Sequence, residues 1–287
     1  MTHRLLFQSI WIVVFVAALA LGTFSLPGCP KIGVEHLKAR GSWHAKVGWR
    51  AEEYFDDPMV IALCKAIEDE DLDEIDRLVA AGADVNAIGK GKMTPLLWAF
   101  PENKLRVFKR VLEHGANPNV CVESDFGTRM SRIVPGDSVT HLAARTWSHY
   151  FKCVMQHGGD PNLVDAQPSE TPLFSVIKGQ STNKKQGVQL LIDAGADLNF
   201  ISGQGVTPAM LAATGGLYGI TLQLLEAGAD PAICQAGSNR QLVHMVIEEE
   251  RREPSWSAEQ REEYGRLVEW LKAHGVPFDK AKAESVR

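Results

Sequence analysis

The chain has 287 residues, 45% hydrophobic and 23% charged, with a formal net charge of −5. This composition is ordinary for a folded chain and excludes extended disorder. It carries no basic block, which argues against a nucleic-acid partner.

The first element is apolar. Ile10 to Leu21 holds no charged or polar side chain, and the length suits the h-region of a signal peptide. The longer run from Leu5 to Leu26 also reaches the roughly 20 apolar residues that span a bilayer. It ends in "LPGC", residues 26–29, which resembles a bacterial lipobox. That resemblance implies cleavage after Gly28 and lipid on Cys29; an uncleaved single-span anchor is the other reading. Either way the expectation is a membrane-anchored, periplasm-facing protein with residues 1–28 as signal peptide or anchor. Residues 29–56, with Trp43 and Trp49, form a linker that either tethers the rest or packs on it.

A repeat follows. Gly82, Gly115, Gly158, Gly195, Gly228 and Gly275 recur at spacings of 33, 43, 37, 33 and 47 residues, most within phrases such as "AGADVNA". Apolar residues lie seven, four and three positions before each of the first four, as in Ile75, Leu78 and Val79, and Thr221, Leu224 and Leu225 hold the same places before Gly228, which is one face of a helix. A glycine just past the end suits a left-handed C-terminal cap. "TPLL" at Thr94 and "TPAM" at Thr207 lie 21 residues before their glycines, and "TPLF" begins at Thr171. There Thr is placed to cap a helix and Pro to occupy its first turn. Each unit is therefore turn, helix, helix, turn.

These phrases resemble the ankyrin repeat over roughly residues 57–278. The resemblance implies an all-α solenoid of about six helix-turn-helix repeats, with residues 279–287 as a tail. "GVTPAMLAATGGLYGITLQLLEAGADPA" is the best copy, and "SVTHLAA" places His141 on the family's inter-repeat histidine. The end repeats are atypical, as expected where one side meets water. Residues 55–100 also resemble a group of bacterial exported ankyrin lipoproteins. Some of these are immunity proteins against phospholipase effectors of type VI secretion. That resemblance implies a non-enzymatic inhibitor that occludes a toxic effector; an envelope scaffold or chaperone-like protein is the alternative.

No nucleotide-binding, hydrolase or zinc-protease motif is present, so neither catalytic residues nor cofactors are assigned. His149, Cys153 and His157 share a helical spacing that a zinc ion would use, but the repeat pattern already explains Cys153 and His157, and no metal is expected. Cys64, Cys121, Cys153 and Cys234 are expected to stay unpaired, because stacked repeats would hold Cys121 and Cys234 beyond disulfide reach.

Expected protein-binding residues lie where the rhythm slips. Residues 120–137 lengthen one turn and carry Phe126, Arg129, Met130 and Arg132, of types enriched at interfaces. Trp98 and Phe100 replace small or aliphatic residues in repeat 2, and Trp147 and Tyr150 lie at the matching end in repeat 3. Exposed together, these rings would form an anchor cluster; repacking of the core is the other reading. The last interval, broken at Pro254, is expected to seal the array, with Ser255 or Ser257 capping its helix.

Overall fold

The structure is a computed structural model that describes residues 42–285 apart from 128–132, 147, 167–168 and 181–182. The calls on Cys29, Arg129, Met130, Arg132 and Trp147 lie outside the described residues. The described residues form helices and turns, with one isolated bridge between Cys234 and Gln241.

Two short helices come first, α1 (Trp43–Val47) and α2 (Ala51–Tyr54). Six helix pairs follow: α3 (Pro58–Glu68) with α4 (Leu72–Ala80), α5 (Pro95–Ala99) with α6 (Leu105–Glu113), and α7 (Val139–Arg145) with α8 (Ser148–Gln156). The array continues with α9 (Pro172–Lys178) and α10 (Lys184–Asp193), α11 (Pro208–Thr214) and α12 (Tyr218–Glu226), and α13 (Leu242–Glu249) and α14 (Ala258–Ala273). A last helix, α15 (Phe278–Ser285), packs on α13. First helices stack α7–α9–α11–α13 and second helices stack α4–α6–α8–α10–α12–α14. The core runs continuously between the two layers.

The recurring glycines do what the sequence requires. Gly82, Gly115 and Gly228 sit at φ of 103°, 84° and 103°. After α4, Gly82 N–H donates to Val79 O and Ala83 N–H to Leu78 O, both at 3.0 Å, which satisfies carbonyls the helix end would leave unpaired. A methyl group at these glycines would meet nothing, so the requirement is the left-handed backbone alone. The third repeat reads Gly158-Gly159 because a Cβ on Gly159 would lie 2.7 Å from Val154 Cγ1.

The asparagine of each phrase joins repeat to repeat. Asn86 Nδ2 donates to Gly115 O at 3.0 Å, Asn119 Nδ2 to Gly158 O at 2.7 Å, and Asn162 Nδ2 to Gly195 O at 3.1 Å. Their Oδ1 atoms accept from Asn117, Asp160 and Asp197 N–H. In the fifth phrase Ala232 replaces the asparagine, and there the array passes into its irregular last repeat.

The expected caps are seen at Thr94 and Thr207, whose hydroxyls accept from Leu97 and Met210 N–H at 3.1 and 3.3 Å. Thr171 makes no such cap bond. Ser257 caps α14 in a reciprocal pair with Gln260. His141 donates from Nε2 to Leu163 O at 3.1 Å, tying α7 to the turn that opens the next repeat. Burial lowers its pKa.

Of the two readings of the linker, residues 42–56 follow the second: the compact unit begins at Ser42, and Trp49 and Phe55 are buried in its core. Residues 279–285, expected as part of a tail, continue α15, in which Phe278 and Ala281 are buried.

Candidate protein-binding surface

The first-helix face over repeats 1 and 2 is already occupied. Residues 42–55 lie across it as a strap. Trp49 stands 5.6 Å from Trp98 and 5.9 Å from Phe126, ring centre to ring centre, and Tyr54 lies 5.8 Å from both. A Cβ on Gly89, in the first turn, would lie 2.6 Å from Tyr54 O, so the strap also presses on that turn.

The strap's other end is polar. His44 is fully buried and stacks on Trp98 with centroids 4.3 Å apart. Its Nδ1 lies 3.0 Å from Glu102 Oε1 and its Nε2 lies 2.8 Å from Trp98 O. Glu102 Oε1 also accepts from Trp43 N–H at 2.6 Å. Glu68 accepts from Trp98 Nε1–H and from Ser42 Oγ–H, and burial raises its pKa.

This corrects the aromatic expectation. Trp98, Phe100, Phe126 and Tyr150 are all buried, so none offers a ring to a partner in this conformation. Phe100 and Tyr150 do meet, at 5.5 Å, but inside the junction of repeats 2 and 3, where Tyr150 also stacks on Phe108 at 4.2 Å. Trp98 instead belongs to the strap contact. The physical reason is area: a large ring at a first-helix position gains most by being covered, and 42–55 supplies the cover. The base of the long turn is ordered too. Val122 N–H donates to Asp137 O at 2.8 Å and Phe126 N–H to Ile133 O at 3.0 Å, so residues 122–126 and 133–137 form a closed finger.

Beyond the strap, the first-helix face of repeats 3 and 4 holds a polar cleft of about 460 Å³. Buried Asp137 pairs with Arg145 Nη2 at 2.6 Å, and buried Glu170 pairs with Lys178. Repeat 6 uses the same eight-residue separation with the signs reversed, Arg240 to Glu248. Each pair holds the start of a first helix to its end, and the charges nearly cancel.

The exposed apolar residues are more informative. Among the described residues the large exposed hydrophobics are Ile88, Leu105, Val164 and Ile201, at 56%, 38%, 41% and 45%. Ile88, Val164 and Ile201 occupy one repeat position, six residues past a phrase glycine, and so fall in one column along the turn tips. Cys121 and Cys234 continue it, half-exposed and exposed. That common offset was legible in the sequence. The strap was less so, because pairing Trp43, His44 and Trp49 with Trp98 needs contacts across more than 40 residues.

The zinc-like spacing is otherwise engaged: His157 Nδ1 lies 2.8 Å from Cys153 O, and His149 packs edge-on against Tyr150. Among the described residues no three His, Cys, Asp or Glu side chains gather as a metal would need.

This geometry defines a helical repeat solenoid, a scaffold class whose elongated faces serve recognition. Residues 140–233 match the family model for ankyrin repeats in three copies. The described fold is the ankyrin-repeat fold. A segment of 63 residues is 38% identical to an ankyrin repeat protein, R664, of Acanthamoeba polyphaga mimivirus, covering 22% of this chain and 39% of that protein. Solved structures include the ankyrin repeat protein EF0377, with a TM-score of 0.56 at 19% identity over 73% of this chain and 96% of that one. An ankyrin repeat domain from Acinetobacter baumannii AYE gives 0.55 at 19% identity, covering 72% and 95%. At that identity the likeness is one of fold.

Proposed function

We propose that this chain is a non-enzymatic protein-binding module of the cell envelope that inhibits a toxic effector, such as a phospholipase, by covering it. The observation that carries the binding role is the column of Ile88, Val164 and Ile201. Apolar side chains left in water at one repeat position serve a partner better than they serve the fold. The buried rings are not part of this surface; the column and the polar cleft of repeats 3 and 4 are. The envelope address rests on the N-terminal apolar run and Cys29, and the inhibitor role on the resemblance of residues 55–100.

The test is a titration of the full chain against exported phospholipases encoded beside its gene. Stoichiometric loss of lipase activity, abolished in an Ile88→Asp/Val164→Asp/Ile201→Asp variant, supports the proposal. Full lipase activity at tenfold excess of the chain removes the inhibitor role. Equal inhibition by the triple variant removes the column from it.

A further inference from the structure

We propose that the polar cleft of repeats 3 and 4 is a receptor for a guanidinium group, the side chain of an arginine presented by the protein partner. This rests on the protein-binding reading above and names the chemistry of one contact within it. The cleft has a volume of about 460 Å³, in the range of clefts that hold ligands. The end of the long turn lines it through Asp137, the next turn through Asp165 and Glu170, and the first helices through Arg145, Ser175 and Lys178.

The donors of the cleft are engaged and its acceptors are in surplus. Arg145 pairs with Asp137 and Lys178 with Glu170. Gly179 N–H donates to Ser175 O at 2.9 Å and Gln180 N–H to Arg145 O at 3.3 Å. Lys184 donates to the carbonyls of Ile177 and Gly179 at the end of α9. Asp165 is half-buried, gives Oδ1 to Glu170 N–H at 2.8 Å, and meets no cation among the described residues. Three carboxylates therefore line the cleft with two cations. Glu170 is buried, and only its Oε1 takes the Lys178 ammonium. Ser175 is 9% exposed, and its hydroxyl bonds to no described residue. A helical hydroxyl can satisfy itself on the carbonyl four residues back, as Thr146 does on Leu142 O at 2.6 Å. Ser175 does not, and its oxygen lines the cleft.

A ligand for this cleft is therefore cationic and rich in donors. The acceptors sit on different segments: Asp165 before the turn, Glu170 after it, and Ser175 one turn into α9. A guanidinium carries five N–H donors in a planar fork and no acceptor, so it reaches oxygens that diverge. An ammonium is a compact point charge with three donors and a stronger hold on its water. Arg145 and Lys178 stand beside the incoming charge, each already balanced by its own carboxylate. Inside the cleft, with water displaced, each new bond is stronger than at an open surface.

Titration of the full chain with Nα-acetyl-arginine N-methylamide, followed by amide NMR shifts, tests this. Saturable shifts are expected at Glu170, Ser175 and Gly179, with a millimolar dissociation constant suited to so small a ligand. The same probe built on lysine should bind at least about fivefold more weakly. Asp165→Asn keeps Oδ1 for Glu170 N–H and removes only the charge, and Ser175→Ala breaks no side-chain bond of the fold. Each should weaken arginine binding at least about threefold at an unchanged urea midpoint. Ile88→Asp, on the turn tips, should bind the probe as the native chain does. No saturable shift, shifts centred away from the cleft, lysine binding as tightly as arginine, or full binding in both cleft variants would each overturn the proposal. The probe reads the cleft alone, whereas lipase inhibition reads the partner. Saturable arginine binding in a chain that inhibits no lipase would uphold the cleft assignment and remove only the inhibitor role.

Discussion

Asn119 Nδ2 donates to Gly158 O at 2.7 Å, across 39 residues, while Oδ1 of the same amide accepts from Asp160 N–H at 2.9 Å and Thr140 Oγ1–H at 2.8 Å. One side chain thus fastens two repeats at their turns and braces the start of α7. Asn119→Ala should cost about 2 kcal/mol, since three bonds at a partly covered site are lost and the partners keep some access to water. Urea unfolding would show a lower midpoint at unchanged slope. A midpoint within error of the native chain would deny the ladder any role in holding the repeats together.

Two glycines with different duties should respond differently. Gly115 sits at φ 84° with open space around it, so Gly115→Ala should cost about 1–2 kcal/mol through backbone strain alone, and Gly115→Asn less. Gly179 has no such φ, but a Cβ there would lie 2.5 Å from Arg145 O. Gly179→Ala should force repeats 3 and 4 apart, and Gly179→Asn should be no better tolerated. Comparison of the four midpoints separates dihedral strain from crowding; rescue by Asn at position 179 would contradict the steric account.

The contrast shows what sequence can carry. Periodicity, the Thr-Pro starts and the recurring glycines are local features, and each is set by backbone geometry within a few residues. The solenoid was therefore legible. Trp98 was not, since its neighbours His44 and Trp49 are 54 and 49 positions away and belong to a stretch without repeat pattern. An aromatic residue out of place in a repeat signals only that something covers it or binds it. Here a segment of the same chain covers it, and the useful signal was the quieter one of Ile88, Val164 and Ile201.

If the strap is integral to the domain, Trp49→Ala should be a core mutation despite its place outside the repeats. Trp49 is 7% exposed and touches Trp43, Tyr54, Trp98 and Phe126. A loss of about 3–5 kcal/mol is expected on the scale of buried aromatic truncations. Urea titration would measure it, and a change below about 1 kcal/mol would mean that the strap adds little to the folded state.

His141 gives the fold a pH dependence. Burial lowers its pKa, and the ring is held as a neutral donor to Leu163 O with Ser138 Oγ at Nδ1. The unfolded chain takes up a proton near the ordinary value of about 6.5, where the folded chain does not. Below that pH the unfolded state binds more protons, so stability falls with pH until the folded pKa is reached. His141→Gln should flatten this acid limb while leaving behaviour above pH 7 unchanged. Urea midpoints at pH 5 and 7.5 would check it; an equal drop in both proteins would show that His141 does not contribute.

The turn-tip column makes the sharpest separation between stability and function. Ile88, Val164 and Ile201 are 56%, 41% and 45% exposed, so little apolar contact is lost when each becomes Asp. Single substitutions should stay within about 0.5 kcal/mol of the native chain, the usual range for surface changes away from special features. The Asn ladder lies beside the column but is made by Asn86, Asn119, Asn162 and Asn199, so it should be intact in all three variants. Paired measurements of urea midpoint and lipase inhibition on the same preparations would decide the matter. Unchanged midpoints with lost inhibition would place the column at the contact. A matching fall in both would instead make these residues part of the fold, and the reading of the turn tips as a partner surface would have to be abandoned.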